Sequence, residues 1–328
     1  MPIEQITFSL PSVLHTAADL ALMSGADETF IREKVGVSQR YVLGPDETGI
    51  DLASQACRYL FERVPDLSDQ VDLLICVTET PDRRIPFNAA GIVTRLGLPR
   101  NVASFDVALG CSGYVYGVKI AESFLAGAGL SNAVLVTCDP YSRIIDPSDK
   151  STNCVFGDAA TATWISREGD GGRMVAWDFG TDGSQGDAIA IPKGGAAYPL
   201  MAVLSDKSQL DHDDLRLHMN GRGVFNFVNS VVPTSIAKCL EAADKSVDEV
   251  DLFALHQGST YMLDAMARRA RLPPNKVLKN MSKYGNTVSS SIPLLLAEAQ
   301  QDSPLLGKTV LMSGFGVGLS WATALVEF

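Results

Sequence analysis

The chain has 328 residues, 46% of them hydrophobic, enough for one large core or two fused halves. A net charge of −11 without a basic stripe argues against a nucleic-acid partner, and no apolar run approaches the ~20 residues of a membrane span. The N-terminal MPIEQITFSLPSV lacks the basic and apolar regions of a secretory signal. The six cysteines show no CxxC pairing, which points to free thiols in a reducing cytoplasm.

In chain order, IDLASQACRYLFERV (50–64) reads as a helix and DQVDLLIC (69–76) as a buried strand opened by acidic residues. A second helical stretch ends in the turn RLGLPRNV (95–102). In FDVALGCSGYVYG an apolar run closes on Gly110, Cys111, Ser112 and Gly113, and Val115, Val118, Ala121, Phe124 and Leu125 follow at helical spacing. NAVLVTCD (132–139) and FGDAATATWIS (156–166) read as strands, the second alternating. Residues 167–218, rich in Gly, Asp and short polar runs, read as a junction with surface loops. The order then repeats: helix VVPTSIAKCLEAA (231–243), strand DEVDLFAL (248–255), turn RARLPPNKV (269–277), strand GKTVLMSGFG (307–316) and strand GVGLSWATALVEF (316–328). A duplicated α/β unit explains this agreement, with halves at 1–170 and 171–328 forming one compact unit.

The repeat directs attention to the loops after matching strands. Cys111 lies at a strand–helix junction, where unpaired backbone N–H groups favour a thiolate nucleophile. A small buried cysteine packed at a turn satisfies the same local pattern. Asn286, in KYGNTVSSSIP, holds the corresponding place in the second half, where an ordinary turn residue would also fit. His256 alone of the four histidines emerges from an apolar strand, at the sheet end where ligands collect; a satisfied strand-end histidine is the plainer reading. Together they form a thiolate with two neutral donors aimed at one thioester oxygen.

Taken in order, ALGCSGYVYG, FGDAA, MNGRGVFNFV, LHQGS, KYGNTVSSSIP and GFGVGLSWATALVEF resemble the thiolase superfamily, and specifically the β-ketoacyl-[acyl-carrier-protein] synthase III family. The resemblance covers nearly the whole chain. It implies a thiolase-like five-layered αβαβα fold from two duplicated halves. It implies Cys111 as acyl acceptor, His256 and Asn286 promoting malonyl decarboxylation, and an oxyanion hole from the N–H groups of Cys111 and Val317. The implied reaction is ping-pong: acyl-CoA loads Cys111, then malonyl-carrier protein or malonyl-CoA loses CO₂ and attacks. A homodimer is implied, with DRRIPFNAA (82–90) reaching the partner's acyl pocket. No metal or bound redox cofactor is implied, and acyl-CoA is a substrate.

The chain departs from the family in several places. Phe30 stands at a CoA-contacting position that is tryptophan in the family, and Lys34 and Lys150 at two that are arginine; lysine lacks the planar fork of arginine. The HQAN motif reads HQGS, and Tyr261 replaces a carrier-docking arginine, while Arg268 and Arg269, with Arg271 nearby, keep a basic pair. Solvated surface charge accounts equally for these basic residues. Glu79, in VTETPDRRIP, resembles the general acid/base of the related hydroxymethylglutaryl-CoA synthase; a solvated or dimer-interface glutamate is the alternative. Two other readings stay open: an acyltransferase passing the Cys111 acyl group to a non-malonyl nucleophile, and a non-catalytic partner subunit. Acyl-chain length should depend on residues 85–90 and 195–205, both expected as loops.

Overall fold

Buried β-rich runs dictate the centre of the molecule. A computed structural model describes residues 1–205 and 212–328. Its strands are β1 (Pro2–Ser9), β2 (Val13–Thr16), β3 (Gln39–Val42), β4 (Leu73–Val77), β5 (Ala103–Val107), β6 (Asn132–Cys138), β7 (Ala160–Ser166), β8 (Gly172–Thr181), β9 (Ile189–Ala190), β10 (His218–Met219), β11 (Leu252–Leu255), β12 (Thr309–Gly316) and β13 (Ser320–Glu327). Nine of them join in the order β11-β12-β13-β8-β1-β7-β6-β4-β5. LLICV in β4 is apolar throughout because β4 lies between parallel neighbours β5 and β6 and is covered on both faces.

The order has an internal symmetry. On one side β1-β7 and β7-β6 pair antiparallel, and β6-β4 and β4-β5 pair parallel. On the other, β8-β13 and β13-β12 pair antiparallel and β12-β11 parallel. Where a fifth strand would stand, Val277 makes an isolated parallel bridge to Phe253. Among the described residues the two sets pair strand to strand only through Pro2–Arg173 and Ile3–Gly172.

Six longer helices complete five layers: α1 (Gly49–Arg63), α2 (Asn88–Leu96), α3 (Gly113–Ala128), α4 (Gly221–Ala242), α5 (Thr260–Arg269) and α6 (Ser291–Asp302). Helices α1 and α2 cover the outside of the first strand set. Helix α3 contacts β4 and β6 on one side and β12 and β13 on the other, and α6 likewise bridges β1 and β7 to β11 and β12. Helix α4 covers β8, β12 and β13, with α5 packed on it. The αβαβα fold of two duplicated halves is therefore present. In α3 the expected apolar positions Val115, Val118, Ala121 and Leu125 are buried in the central core, the valines and Leu125 each contributing roughly 1.5–3 kcal/mol. Phe124, one position off that stripe, lies at the surface against Phe105.

Two loop expectations are corrected. Residues 167–218 contain the ten-residue strand β8, whose burial alternates along Gly172–Trp177 and which the glycines and aspartates around it obscure. The segments at 85–90 and 195–205 are loops only in part: α2 begins at Asn88, and Leu200–Ser205 is helical.

Candidate active site

Cys111 lies between β5 and α3, in a turn closed by the Gly113 N–H donating to the Gly110 carbonyl at 2.8 Å. Strand β12 presses directly on it. A Cβ at Gly314 would come within 2.5 Å of the Cys111 carbonyl oxygen, and one at Gly316 within 2.9 Å of Sγ. The glycines of SGFGVG thus admit the nucleophile turn at van der Waals distance. The same approach brings the Val317 N–H, together with that of Cys111, onto the thiol.

The electrostatics of Cys111 correct the expectation of a favoured thiolate. Burial pushes the thiol well above its ordinary value, and the carboxyls of Glu79 and Asp139 push it further. The N–H groups of Cys111 and Val317 pull the other way without prevailing. The helix start supplies donors for an oxygen on the acyl carbon but does not hold a resting thiolate.

His256 follows β11, and its N–H donates to the Ser313 carbonyl at 2.9 Å, extending the β11–β12 ladder. Its Nδ1 lies 2.7 Å from Oγ of Ser291, at the start of α6, and its ring packs edge-on to Phe315. A Ser291 O–H donating to Nδ1 places the ring proton on Nε2. Burial lowers the imidazole from 6.5 to about 3, so it is neutral at physiological pH. Asn286 is clamped by its own backbone: its N–H donates to the Val155 carbonyl at 2.8 Å and its carbonyl accepts from Gly157 N–H at 3.0 Å. Its Oδ1 accepts from Val288 N–H at 2.9 Å, which turns Nδ2 into an oriented donor. Val288 adopts φ 52°, the left-handed region a β-branched residue avoids, at a cost of about 1–3 kcal/mol.

Cys111, His256, Asn286 and Val317 line one cavity of about 530 Å³. Its mouth carries Phe30, Lys34, Arg222 and Tyr261, all exposed, with Tyr261 stacked on Phe225 at 5.5 Å. Lys150 is not among the lining residues: it is exposed, on the short helix Lys150–Asn153. Of the three expected CoA positions, Phe30 and Lys34 line the cavity. Arg268 and Arg269 are exposed in the last turn of α5, away from the cavity lining. Among the described residues no three His, Cys, Asp or Glu side chains converge to hold a metal ion.

Glu79 does not line the cavity either. Its carboxyl lies behind Gly110, accepting from Gly110 N–H and, at 2.7 Å, from the Tyr141 hydroxyl; Tyr141 does line the cavity. Burial and then Asp139 push the Glu79 carboxyl up to about 7. Asp139, itself buried and raised, accepts from Glu79 N–H at 2.7 Å and from the Ser289 hydroxyl, tying this loop to the one that carries Asn286. Tyr141, Asp139 and Ser291 were not singled out in the sequence. They stand in ordinary polar stretches, and only the fold brings them to the site.

The comparisons agree with this geometry. The family model described as 3-Oxoacyl-[acyl-carrier-protein (ACP)] synthase III matches residues 105–183, and that for the C terminal of the same synthase matches residues 240–328. The chain is 34% identical over 328 residues to Beta-ketoacyl-[acyl-carrier-protein] synthase III of Streptococcus suis, covering 99% of this chain and 98% of that one. A crystal structure of a 3-oxoacyl-(acyl-carrier-protein) synthase III superposes with a TM-score of 0.93 at 36% identity, over 100% of this chain and 99% of the other. The Pseudomonas aeruginosa synthase of the same name gives 0.88 at 28%, over 100% and 98%.

Proposed function

Because the chain belongs to the 3-oxoacyl-[acyl-carrier-protein] synthase III family, we propose that this condensing enzyme works by acylation of Cys111 followed by decarboxylative Claisen condensation. The observation that carries this reading is the single cavity shared by the Cys111 thiol, two backbone N–H groups aimed at it, and the oriented donors of His256 and Asn286.

In loading, Sγ attacks the acyl-CoA carbonyl and its proton leaves with CoA. The tetrahedral oxygen is held by the N–H groups of Cys111 and Val317, donors already in place before charge develops. In condensation, the malonyl C–CO₂ bond breaks and its electrons pass to the thioester enolate. Nε2–H of His256 and Nδ2–H of Asn286 hold that oxygen, with the histidine neutral and donating without a net charge. The carbanion then attacks the acyl carbon, and Cys111 leaves as the thiolate.

Phe30 and Lys34 meet the CoA at the mouth, and Arg268 and Arg269 form the basic patch that receives an acidic carrier protein. We propose a homodimer of two-half protomers (1–170 and 171–328). Its support is the half-buried edge strand β5 and the exposed Ile85 and Phe87 in the 82–90 segment. Six free buried thiols support a reducing, cytoplasmic setting. The test is to isolate acylated protein, add malonyl-carrier protein or malonyl-CoA, and identify the product. A 3-oxoacyl thioester with CO₂ release supports the reading; transfer of the acyl group without CO₂ refutes it. A second reading, condensation by α-proton abstraction with Glu79 as base, is favoured by the carboxyl held at about 7, near the operating pH. Unchanged turnover in Glu79→Gln removes it.

A further inference from the structure

Asn286 owes its place to the segment it lies against. Phe156 and Asn286 form an isolated parallel bridge, closed by the Asn286 N–H on the Val155 carbonyl and the Gly157 N–H on the Asn286 carbonyl. The two backbones approach too closely for side chains between them. A Cβ at Gly157 would fall 2.1 Å from the Tyr284 carbonyl oxygen, and one at Gly285 would fall 2.8 Å from that of Val155. Any shift of residues 153–157 is therefore a shift of Asn286.

That segment is itself held by a buried cation. Arg40, on β3, has only 2% of its surface accessible. Its Nη1 donates to the carbonyls of Asn153 and Phe156, and its Nη2 donates to Asn153 Oδ1 at 2.6 Å. One planar guanidinium thus ties together both ends of the turn that carries Val155. It does so from outside the cavity, since Val155 and Phe156 line the cavity and Arg40 does not. Asp158, also buried, is its opposing charge, and the Asp158 carboxyl accepts from Leu43 N–H at 2.9 Å. Hydrogen bonds from an ionised donor are about twice as strong as neutral ones. A lysine at this place would keep the charge but could not span the three acceptors in one plane.

We propose that Arg40 is a positioning residue for the decarboxylation step, acting on the enolate oxygen only through Asn286. This rests on the reading that Asn286 and His256 hold that oxygen. Without the guanidinium, three buried acceptors lose their donor, and the turn relaxes to find others. Asn286 moves with it. A misplacement of about 1 Å in a group that holds a reacting atom costs on the order of a hundredfold in rate. Acyl loading uses the N–H groups of Cys111 and Val317, which belong to the turn before α3 and the turn after β12, so it is spared.

The test follows two half-reactions in one preparation. Acylation of Cys111 is read by intact mass, with whichever of acetyl-, butyryl- and hexanoyl-CoA loads the parent fastest. CO₂ release by the acylated protein is then read with malonyl-CoA and with malonyl-carrier protein. The ratio of the two rates does not depend on the fraction of folded protein. Arg40→Lys should load within about threefold of the parent and release CO₂ about 10- to 100-fold more slowly. Asn153→Ala, which removes one acceptor and leaves Arg40 and Asp158 in place, should shift the ratio the same way by a smaller factor. In an Asn286→Ala background, Arg40→Lys should slow CO₂ release by less than about threefold further, because both changes act on one interaction. Equal losses in the two half-reactions overturn the inference alone, as does a full multiplicative loss on top of Asn286→Ala. So does a parental ratio in Arg40→Lys, or in Asn153→Ala where the lysine variant does not fold. A parent that loads an acyl group but releases no CO₂ from either malonyl thioester overturns the decarboxylation reading and this inference with it.

Discussion

Replacing His256 by Gln, and comparing how variant and parent lose stability in acid, measures how the imidazole is held. Burial places its folded pKa at about 3, against roughly 6.5 in an unfolded chain. Between those values the unfolded state binds more protons. The stability tied to the neutral ring is complete above about pH 6.5 and is lost as pH falls toward 3. Each pH unit in that window costs about 1.4 kcal/mol, so about 2 kcal/mol is lost by pH ~5. With an unfolding entropy of roughly 2.1 cal/mol/K per residue, a chain of this length should move about 3 °C in Tm. Glu79 runs in the opposite sense: raised to about 7, its contribution is present below about pH 4.5 and is lost as pH rises toward 7. Both proteins contain it, so the difference between them isolates His256. Thermal unfolding by circular dichroism near pH 7 and pH 5 should show the parent's Tm falling about 3 °C more than that of His256→Gln. Curves that stay parallel between the two pH values would refute the claim that burial keeps this histidine neutral.

Gly316→Ala places a Cβ 2.9 Å from the Cys111 sulfur and should slow acyl loading about a hundredfold or more, read from the acyl-enzyme burst. Asn286→Ala should still form the acyl-enzyme while CO₂ release falls about 10²–10³-fold, the usual cost of one donor to a developing oxyanion. Alkylation of Cys111 by iodoacetamide, followed on its tryptic peptide, should keep climbing with pH through 9, because burial and the two carboxyls hold the thiol up. A plateau near neutrality would show a resting thiolate and contradict that electrostatic picture.

Much of this architecture was legible in the chain. The strands LLICV and NAVLVTC declared themselves by continuous apolar character, and the Cys111 and Asn286 loops by their matching places in the repeat. Strand β8 was hidden because its outward positions carry Arg173 and Val175 and its surroundings are rich in Gly and Asp, so composition outweighed periodicity. The cluster behind Cys111 was hidden for another reason. Tyr141 and Asp139 share one turn and Glu79 comes from another, and nothing local in DPYSRI or VTETP says that they meet. The thiol was misjudged because helix-terminus donors are visible in a sequence pattern, whereas burial and neighbouring carboxyls are not.

The central claim is that Cys111 carries the acyl group between two half-reactions. Intact mass after incubation with acetyl-CoA, then after addition of a malonyl thioester, tests it most directly. The account predicts one acetyl group per chain, confined to the Cys111 peptide, absent from Cys111→Ala, and discharged with one CO₂ per adduct. An unmodified mass with every acyl-CoA, or an adduct that persists in Cys111→Ala, would contradict it.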